Sequence, residues 1–495
     1  MNSNKPKITP ALPRGMRDLL PDQLAVRYKV IETLRRVFEL YGFQPLETPA
    51  MERLEILSGK GGEESDKLSF LVMKRGEELQ RALEKVKAGD LSGSDAAREL
   101  ADMGLRYDLT VPLARVAAMY QGKLPMPFKR YQIAPVWRAE RPQHGRYREF
   151  TQCDVDIVGT VSPKADAEII NLFSDGFASL GIEVEVHVND REILKRISRA
   201  CGNSDSQFPE FTTALDKVDK IGTDGVSAEM AKRGLCLSAL SELWNFLEFK
   251  PLLTRSTIPE IESQISKFVG SDILRELYMG LIPVLNKVLD LGGSKIEKIV
   301  RFNPALARGL DYYTGTIFEA VALNATIGSL GGGGRYDGLV GTFSKNNESA
   351  VGTSFGLDRI LDVLVTQGRV PETQSRATVV VSRNISNEFT QPKGNLPLIG
   401  RIEGGVLRCL HRNSISCEPH YYDTNRLEQQ LKTAVYMNAQ FVLILDDESI
   451  EEYRAVNDEG IFDDTRFKAK IRRLVDRKQL TLTLPQIIEW VKESK

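Results

Sequence analysis

The stretch Glu149–Val158, EFTQCDVDIV, constrains the fold of this chain more than any other. At the strand period of two, Phe150, Gln152, Asp154 and Asp156 share one face, and Thr151, Cys153, Val155 and Ile157 share the other. The second face suits packing against helices. The first face carries two carboxylates, an amide and an aromatic ring in register. A surface strand of alternating polarity is the simpler reading, but it does not explain these four side chains opposite an apolar face in a large domain. The pattern predicts a sheet with one face under helices and the other lining a polar cavity.

The chain has 495 residues, more than one hydrophobic core usually serves, so two to four domains are expected. Formal net charge is −1, and a nucleic-acid partner would need local basic patches because no overall positive field exists. Five cysteines without a CxxC pair read as reduced thiols, not as a disulfide framework. Four histidines, none at ligand spacing, give no zinc motif. The first residues lack an apolar signal core and no run reaches membrane-spanning length, so a soluble, cytoplasmic protein without a membrane partner is expected.

Along the chain, Val30, Leu34 and Val37/Phe38 recur at helical spacing before Gly42, a helix stop. FQPLETPAM reads as an extended segment restricted by Pro45 and Pro49, and LSFLVMK as a short strand. Residues 77–104 read as a charged, helix-prone surface insertion. FKRYQIAPVWRAE and REFTQCDVDIVG read as strands flanking the loop RPQHG. An amphipathic helix over about 164–180 leads to the strand VEVHV, and 190–300 reads as a mostly helical insertion. TIFEAVA is a strand, whereas the glycine run in GSLGGGGRYDGLVG reads as a turn, since it lacks the GK[ST] of a phosphate loop. GTSFGLDRILDVLV opens a helix. The polar stretch 367–376 reads as a linker to an α/β domain over 377–495 with a mainly parallel sheet.

No nucleophile elbow and no assignable Cys/His pair are present. What remains is a set of arginines at element ends: Arg138, Arg146, Arg308 and Arg359. Singly, each reads as a surface ion pair or a helix-flank cation. Together they suit phosphate chemistry, because guanidinium forks hold phosphate oxygens and offset developing charge. Lys468, Lys470, Arg472, Arg473, Arg477 and Lys478 form a second basic cluster, either a phosphate-contacting patch or a solvated helix face.

With these residues in hand, the sequence resembles the class II aminoacyl-tRNA synthetases. VWRAERPQHGRYREF is similar to their motif 2, VGTSFGLDRIL to motif 3, and FQPLETPAMERLEIL to motif 1. PRGMRDLLP, LRYDLTVP, ARGLDYYTGTIFE and GGGGRYDGL are similar to signatures of the histidyl-tRNA synthetase family. The resemblance implies an α+β fold: an antiparallel sheet flanked by helices, a helical insertion, and a C-terminal anticodon-binding-type domain. The catalytic core would comprise 1–189 and 301–366. It implies ATP as substrate with Mg²⁺, L-histidine, tRNA(His) as partner, and a homodimer formed through motif 1.

Residue by residue, the resemblance implies that Arg138 holds the α-phosphate and the activated carboxylate, Arg146 the distal phosphates, and Arg359 the nucleotide. Phe150 would stack on adenine, with Glu140 nearby, and Arg308 would be the catalytic arginine. Asp108, Leu109, Thr110 and Gln152 would surround the α-amino group, while Asp156, Tyr312 and Tyr313 would read the imidazole. Arg141 and Gln143 would approach the tRNA acceptor end. The activity implied is histidine–tRNA ligase. The alternative is a non-catalytic paralogue, a regulatory subunit of histidine biosynthesis or a tRNA sensor, which would be expected to lose these arginines or the last domain.

Overall fold

The computed structural model describes residues 9–58, 68–89, 91, 93–142, 146–307, 312–324, 328–344, 347–369, 378–386, 396–421, 426–456 and 465–494. It divides into two units, Met1–Val370 and Pro371–Lys495.

In the first unit the N-terminal helix, Pro21–Leu40, starts on a proline at its first position and buries Val26, Val30, Leu34, Val37 and Phe38. Gly42 leaves it in the left-handed region, φ +79°, as its place in the sequence anticipates. Among the described residues of this unit eleven strands follow: β1 (Gln44–Pro45), β2 (Met51–Arg53), β3 (Phe70–Met73), β4 (Ala101–Leu105), β5 (Phe128–Trp137), β6 (Glu149–Val158), β7 (Val184–Asp190), β8 (Val300–Phe302), β9 (Thr316–Ala322), β10 (Ser329–Asp337) and β11 (Ser349–Gly356). Eight form one sheet in the order β1-β5-β6-β11-β10-β9-β7-β8. Its interior pairs are antiparallel, and only the outermost pairs, β1 with β5 and β7 with β8, are parallel.

The reverse face of β6 meets the core. Cys153 and Val155 are fully buried with Phe38, Phe173, Phe177 and Phe355, under the N-terminal helix and the helix Pro163–Ser179. That second helix buries eleven of its residues, more than an amphipathic stripe would, because the helix Leu281–Ile296 covers it from outside. Residues 191–296 are mostly helical, and their buried side chains, among them Phe211, Leu243 and Ile261, are continuous with the core beneath the sheet. The 77–104 segment departs from a purely helical insertion. After the helices Gly76–Lys87 and Gly93–Glu99, β4 pairs with β2 and β3 in a small sheet.

Two local readings are corrected. The glycine run is not a turn: Gly331–Gly334 lie within β10, between β9 and β11. Its neighbours hold it extended, and a Cβ at Gly333 would fall 2.0 Å from the Gly352 carbonyl oxygen. GTSFG is likewise strand, and the helix opens only at Leu357.

The second unit holds β12 (Val379–Asn384), β13 (Cys417–Pro419), β14 (Phe441–Asp446), β15 (Lys468–Arg473) and β16 (Gln479–Thr483). Three strands are parallel, but β14, β15 and β16 pair antiparallel, so the sheet is mixed where a mainly parallel one was expected. The basic run is a strand and turn, with Ala469 and Ile471 pointing into the core. Lys468 pairs with Glu452, Lys470 with Asp446 and Glu448, and Arg473 with Asp476. Half of the six cations are thus neutralised by the unit's own carboxylates. Among the described residues, no helix is long and apolar enough to cross a membrane.

Candidate active site

The polar face of β6 forms the floor of a cavity of about 340 Å³, lined by Phe150, Gln152, Asp154 and Asp156 as the strand period requires. Neighbouring strands continue that face. In the β5 register, Arg130, Gln132, Ala134 and Val136 stand beside Asp156, Asp154, Gln152 and Phe150. On the other side, Gly352, Ser354 and Gly356 pair with Asp156, Asp154 and Gln152. The glycines keep the hollow open: a Cβ at Gly352 would fall 1.9 Å from Asp156 Oδ1, and one at Gly334 2.9 Å from the Tyr313 ring.

One end of the cavity is cationic. Arg138 follows β5, Arg146 precedes β6, and Arg359 lies in the first turn of the helix Leu357–Thr366; all three line the cavity with Glu140 and Phe150. Arg138 donates from Nε to the Tyr107 carbonyl at 3.1 Å, and its guanidinium lies 5.1 Å from the Phe150 ring centroid. Arg359 donates to the Ser329 carbonyl at 2.6 Å. Burial, then the charges of Arg146 and Arg138, pulls the Arg359 guanidinium below its usual range. Three guanidiniums that repel one another at one rim make a site for a multiply charged anion.

The other end is anionic and aromatic. Thr110, Asp154, Asp156, Tyr312, Tyr313 and Tyr336 line it. Tyr336 donates to Asp156 Oδ1 at 2.6 Å, and the fully buried Arg130 sets Nη2 2.8 Å from Asp156 Oδ2. Burial raises the Asp156 carboxyl, with Arg130 and Tyr336 pulling against it. It pushes Asp154 up to about 7 against the same guanidinium. Asp108 is held behind this wall, with Oδ1 accepting from the Val111 amide at 3.1 Å. Among the described residues, Asp108 Oδ2, Arg130 Nε and Nη1, Gln152 Oε1 and Asp154 Oδ1 have no hydrogen-bond partner. So many unpaired buried polar atoms around one hollow call for a polar ligand.

The sequence-derived set is therefore partly gathered here. Arg138, Arg146, Arg359, Glu140, Phe150, Thr110, Gln152, Asp156, Tyr312 and Tyr313 share the cavity. Leu109 does not face it: its side chain packs with Ala134, Val136 and Phe150, while its carbonyl accepts from Arg130 Nη2 at 3.0 Å. Arg141 is exposed and is not part of the lining, and Arg308 and Gln143 fall outside the described residues. Sequence reasoning missed Arg130, Tyr336 and the glycines, and gave Asp154 a face without a role. Counting back by twos from Arg138 would have brought Arg130 onto the same face.

Asp108 offers a direct electrostatic test. Burial pushes its carboxyl up to about 6, above its usual range, with the Val111 amide, Arg138 and Arg130 opposing. A carboxyl that binds its proton more tightly when folded favours the fold fully below about pH 4, and that contribution is lost as pH rises through about 6. Asp108→Asn keeps an acceptor for Val111 but never ionises. Urea unfolding should show this variant gaining on wild type by on the order of 2–3 kcal/mol between about pH 4 and 8. A difference that does not vary with pH would refute the buried, proton-binding state of Asp108.

The histidyl-tRNA synthetase family model matches residues 94–360. The chain is 40% identical over 404 residues to the histidine–tRNA ligase of Porphyromonas gingivalis, covering 81% of this chain and 86% of that one. It is 36% identical over 490 residues to the histidine–tRNA ligase of Cytophaga hutchinsonii, covering 97% and 98%. The crystal structure of histidyl-tRNA synthetase from Nostoc sp. PCC 7120 superposes with a TM-score of 0.74 at 25% identity, covering 99% of this chain and all of that one. On this match of sequence and fold, the chain belongs to the histidyl-tRNA synthetase family.

Proposed function

We propose that this chain is a histidine–tRNA ligase, and the observation that carries the proposal is the polarised cavity. Its cationic rim suits a triphosphate. Its far end, with unpaired carboxylate and amide atoms beside three tyrosines, suits a small molecule bearing an ammonium group and a polar ring. The carboxylate of histidine attacks the ATP α-phosphorus. The new P–O bond forms as the bond to pyrophosphate breaks, giving histidyl-adenylate. The terminal ribose hydroxyl of tRNA(His) then takes the acyl group and releases AMP. Histidine's own carboxylate is the nucleophile, so the protein needs only to position charges and stabilise them.

In this reading Arg138 spans the α-phosphate and the carboxylate, Arg146 and Arg359 meet the outer phosphates, and adenine stacks on Phe150. Arg308 belongs to the same set by resemblance. Thr110 and Gln152 serve the ammonium group, with the Asp108 carboxyl behind them, and Asp156 with Tyr313 reads the imidazole, with Tyr312 beside it. Magnesium would enter as part of the Mg·ATP substrate and share the phosphate charge. Arg141 and Gln143 are assigned to the acceptor end, and the C-terminal unit to the anticodon. A cytoplasmic homodimer is part of the same proposal, supported by the family resemblance alone. The retained Arg138, Arg146 and Arg359 argue against a non-catalytic paralogue.

Pyrophosphate exchange with each of the twenty amino acids, without tRNA, tests the proposal: only histidine should support it. In the same assay Asp156→Ala should raise the KM for histidine about 10- to 100-fold, because the ring's partner is lost and Arg130 is left unpaired. The KM for ATP should stay within about twofold. Equal losses for both substrates would remove Asp156 from ring recognition.

A further inference from the structure

We infer that Arg17, in the segment before the N-terminal helix, is a positioning residue for Arg146 and Arg359. The inference rests on the reading of those two residues as phosphate ligands. Arg17 Nη1 donates to Tyr147 Oη at 2.9 Å, and its guanidinium lies 4.0 Å from the Tyr147 ring centroid. Its other terminal nitrogen donates to the Asp358 carboxylate. Tyr147 directly follows Arg146, and Asp358 directly precedes Arg359. One side chain thus joins the immediate neighbours of two cavity arginines that lie on elements far apart in sequence.

The surroundings show why this contact has a geometric consequence. Arg146 is exposed at the cavity rim, and the backbone that follows it through Tyr147 and Arg148 sets its course. The N-terminal segment fixes that backbone. The Arg148 amide donates to the Gly15 carbonyl at 2.8 Å, and Gly15, at φ +82°, presses so close that a Cβ would lie 3.0 Å from Arg148 Cγ and 3.1 Å from Pro142 Cβ. Asp358 is a shared anchor: besides Arg17 it accepts from Arg27 Nη1 at 3.3 Å and from the Thr151 amide at 2.9 Å. Removing Arg17 leaves Asp358 with those partners, so the helix stays docked. What is lost is the link to Tyr147, and with it the fixed spacing between Arg146 and Arg359. Planarity matters, because the same guanidinium stacks on the ring, bonds its hydroxyl and pairs with the carboxylate at once; an ammonium cannot do all three.

The test compares full-length wild type, Arg17→Ala and Arg17→Lys, measuring Mg·ATP binding by calorimetry and histidine-dependent pyrophosphate exchange. Arg17→Ala should weaken ATP binding and raise the KM for ATP about tenfold, with the KM for histidine within about twofold. Arg17→Lys keeps the charge and should recover less than half of that loss on a logarithmic scale. ATP affinity equal to wild type in Arg17→Ala overturns the inference, as does full recovery in Arg17→Lys, which would reduce Arg17 to a point charge. So does a lowered kcat with both KM values unchanged, the mark of a smaller folded fraction. Absence of histidine-dependent exchange in the wild type would instead sink the ligase reading, while the ATP-binding arm would still decide the role of Arg17.

Discussion

Arg130→Met should destabilise the unit Met1–Val370 by about 3–5 kcal/mol, the usual cost of leaving a buried charge without its partner. Arg130 has no exposed surface, lies 2.8 Å from Asp156 Oδ2, and is the guanidinium that holds down the Asp156 and Asp154 carboxyls against burial. Methionine fills much of the same volume, so the loss would be electrostatic rather than a cavity effect. Urea unfolding of the full chain measures it. Adding Asp156→Asn to Arg130→Met should restore part of the loss, since it removes the stranded charge, and the double-mutant cycle should show strong coupling. Strictly additive effects, or a loss below about 1 kcal/mol, would mean that Arg130 does not compensate this pocket.

Why Arg130 was invisible in the sequence, while Asp156 was not, shows what a chain reveals of itself. The β6 strand was legible because its two faces differ in chemistry at a fixed local period. The N-terminal helix was legible for the same reason, with Gly42 marking its end. Arg130 stands in KRYQI, where any of the cations reads as an edge charge, and only the pairing of Arg130 with Asp156 across two strands gives it a partner. The glycine run failed differently. Glycine has little strand preference of its own, so β10 is extended because β9 and β11 flank it, which is a tertiary fact. The basic run at 468–473 carried its signal openly: Lys468, Lys470 and Arg472 alternate with Ala469 and Ile471 at period two. Its neutralisation by Asp446, Glu448 and Glu452 depends on the fold and could not be read from spacing.

Arg138→Gln should lower kcat for histidine-dependent pyrophosphate exchange about 10²- to 10³-fold, the scale expected for removing one donor aimed at developing charge. Arg138 continues the face that carries Arg130, but its surroundings are different. It lies open to the cavity beside Phe150, with its side chain tied down through Nε to the Tyr107 carbonyl. Glutamine can still reach that carbonyl, so melting should change little while the charge at the cavity rim, proposed to face the α-phosphate, is gone. The two substitutions thus separate along one strand direction: loss of Arg130 costs stability, and loss of Arg138 costs rate. Arg138→Lys should fail nearly as badly, because an ammonium cannot hold the Tyr107 carbonyl and a phosphate oxygen in one plane. Exchange within tenfold of wild type in Arg138→Gln would place the reacting phosphate elsewhere in the cavity. The cationic rim would then serve nucleotide binding alone, and the charge formed during attack would have to be met by another group.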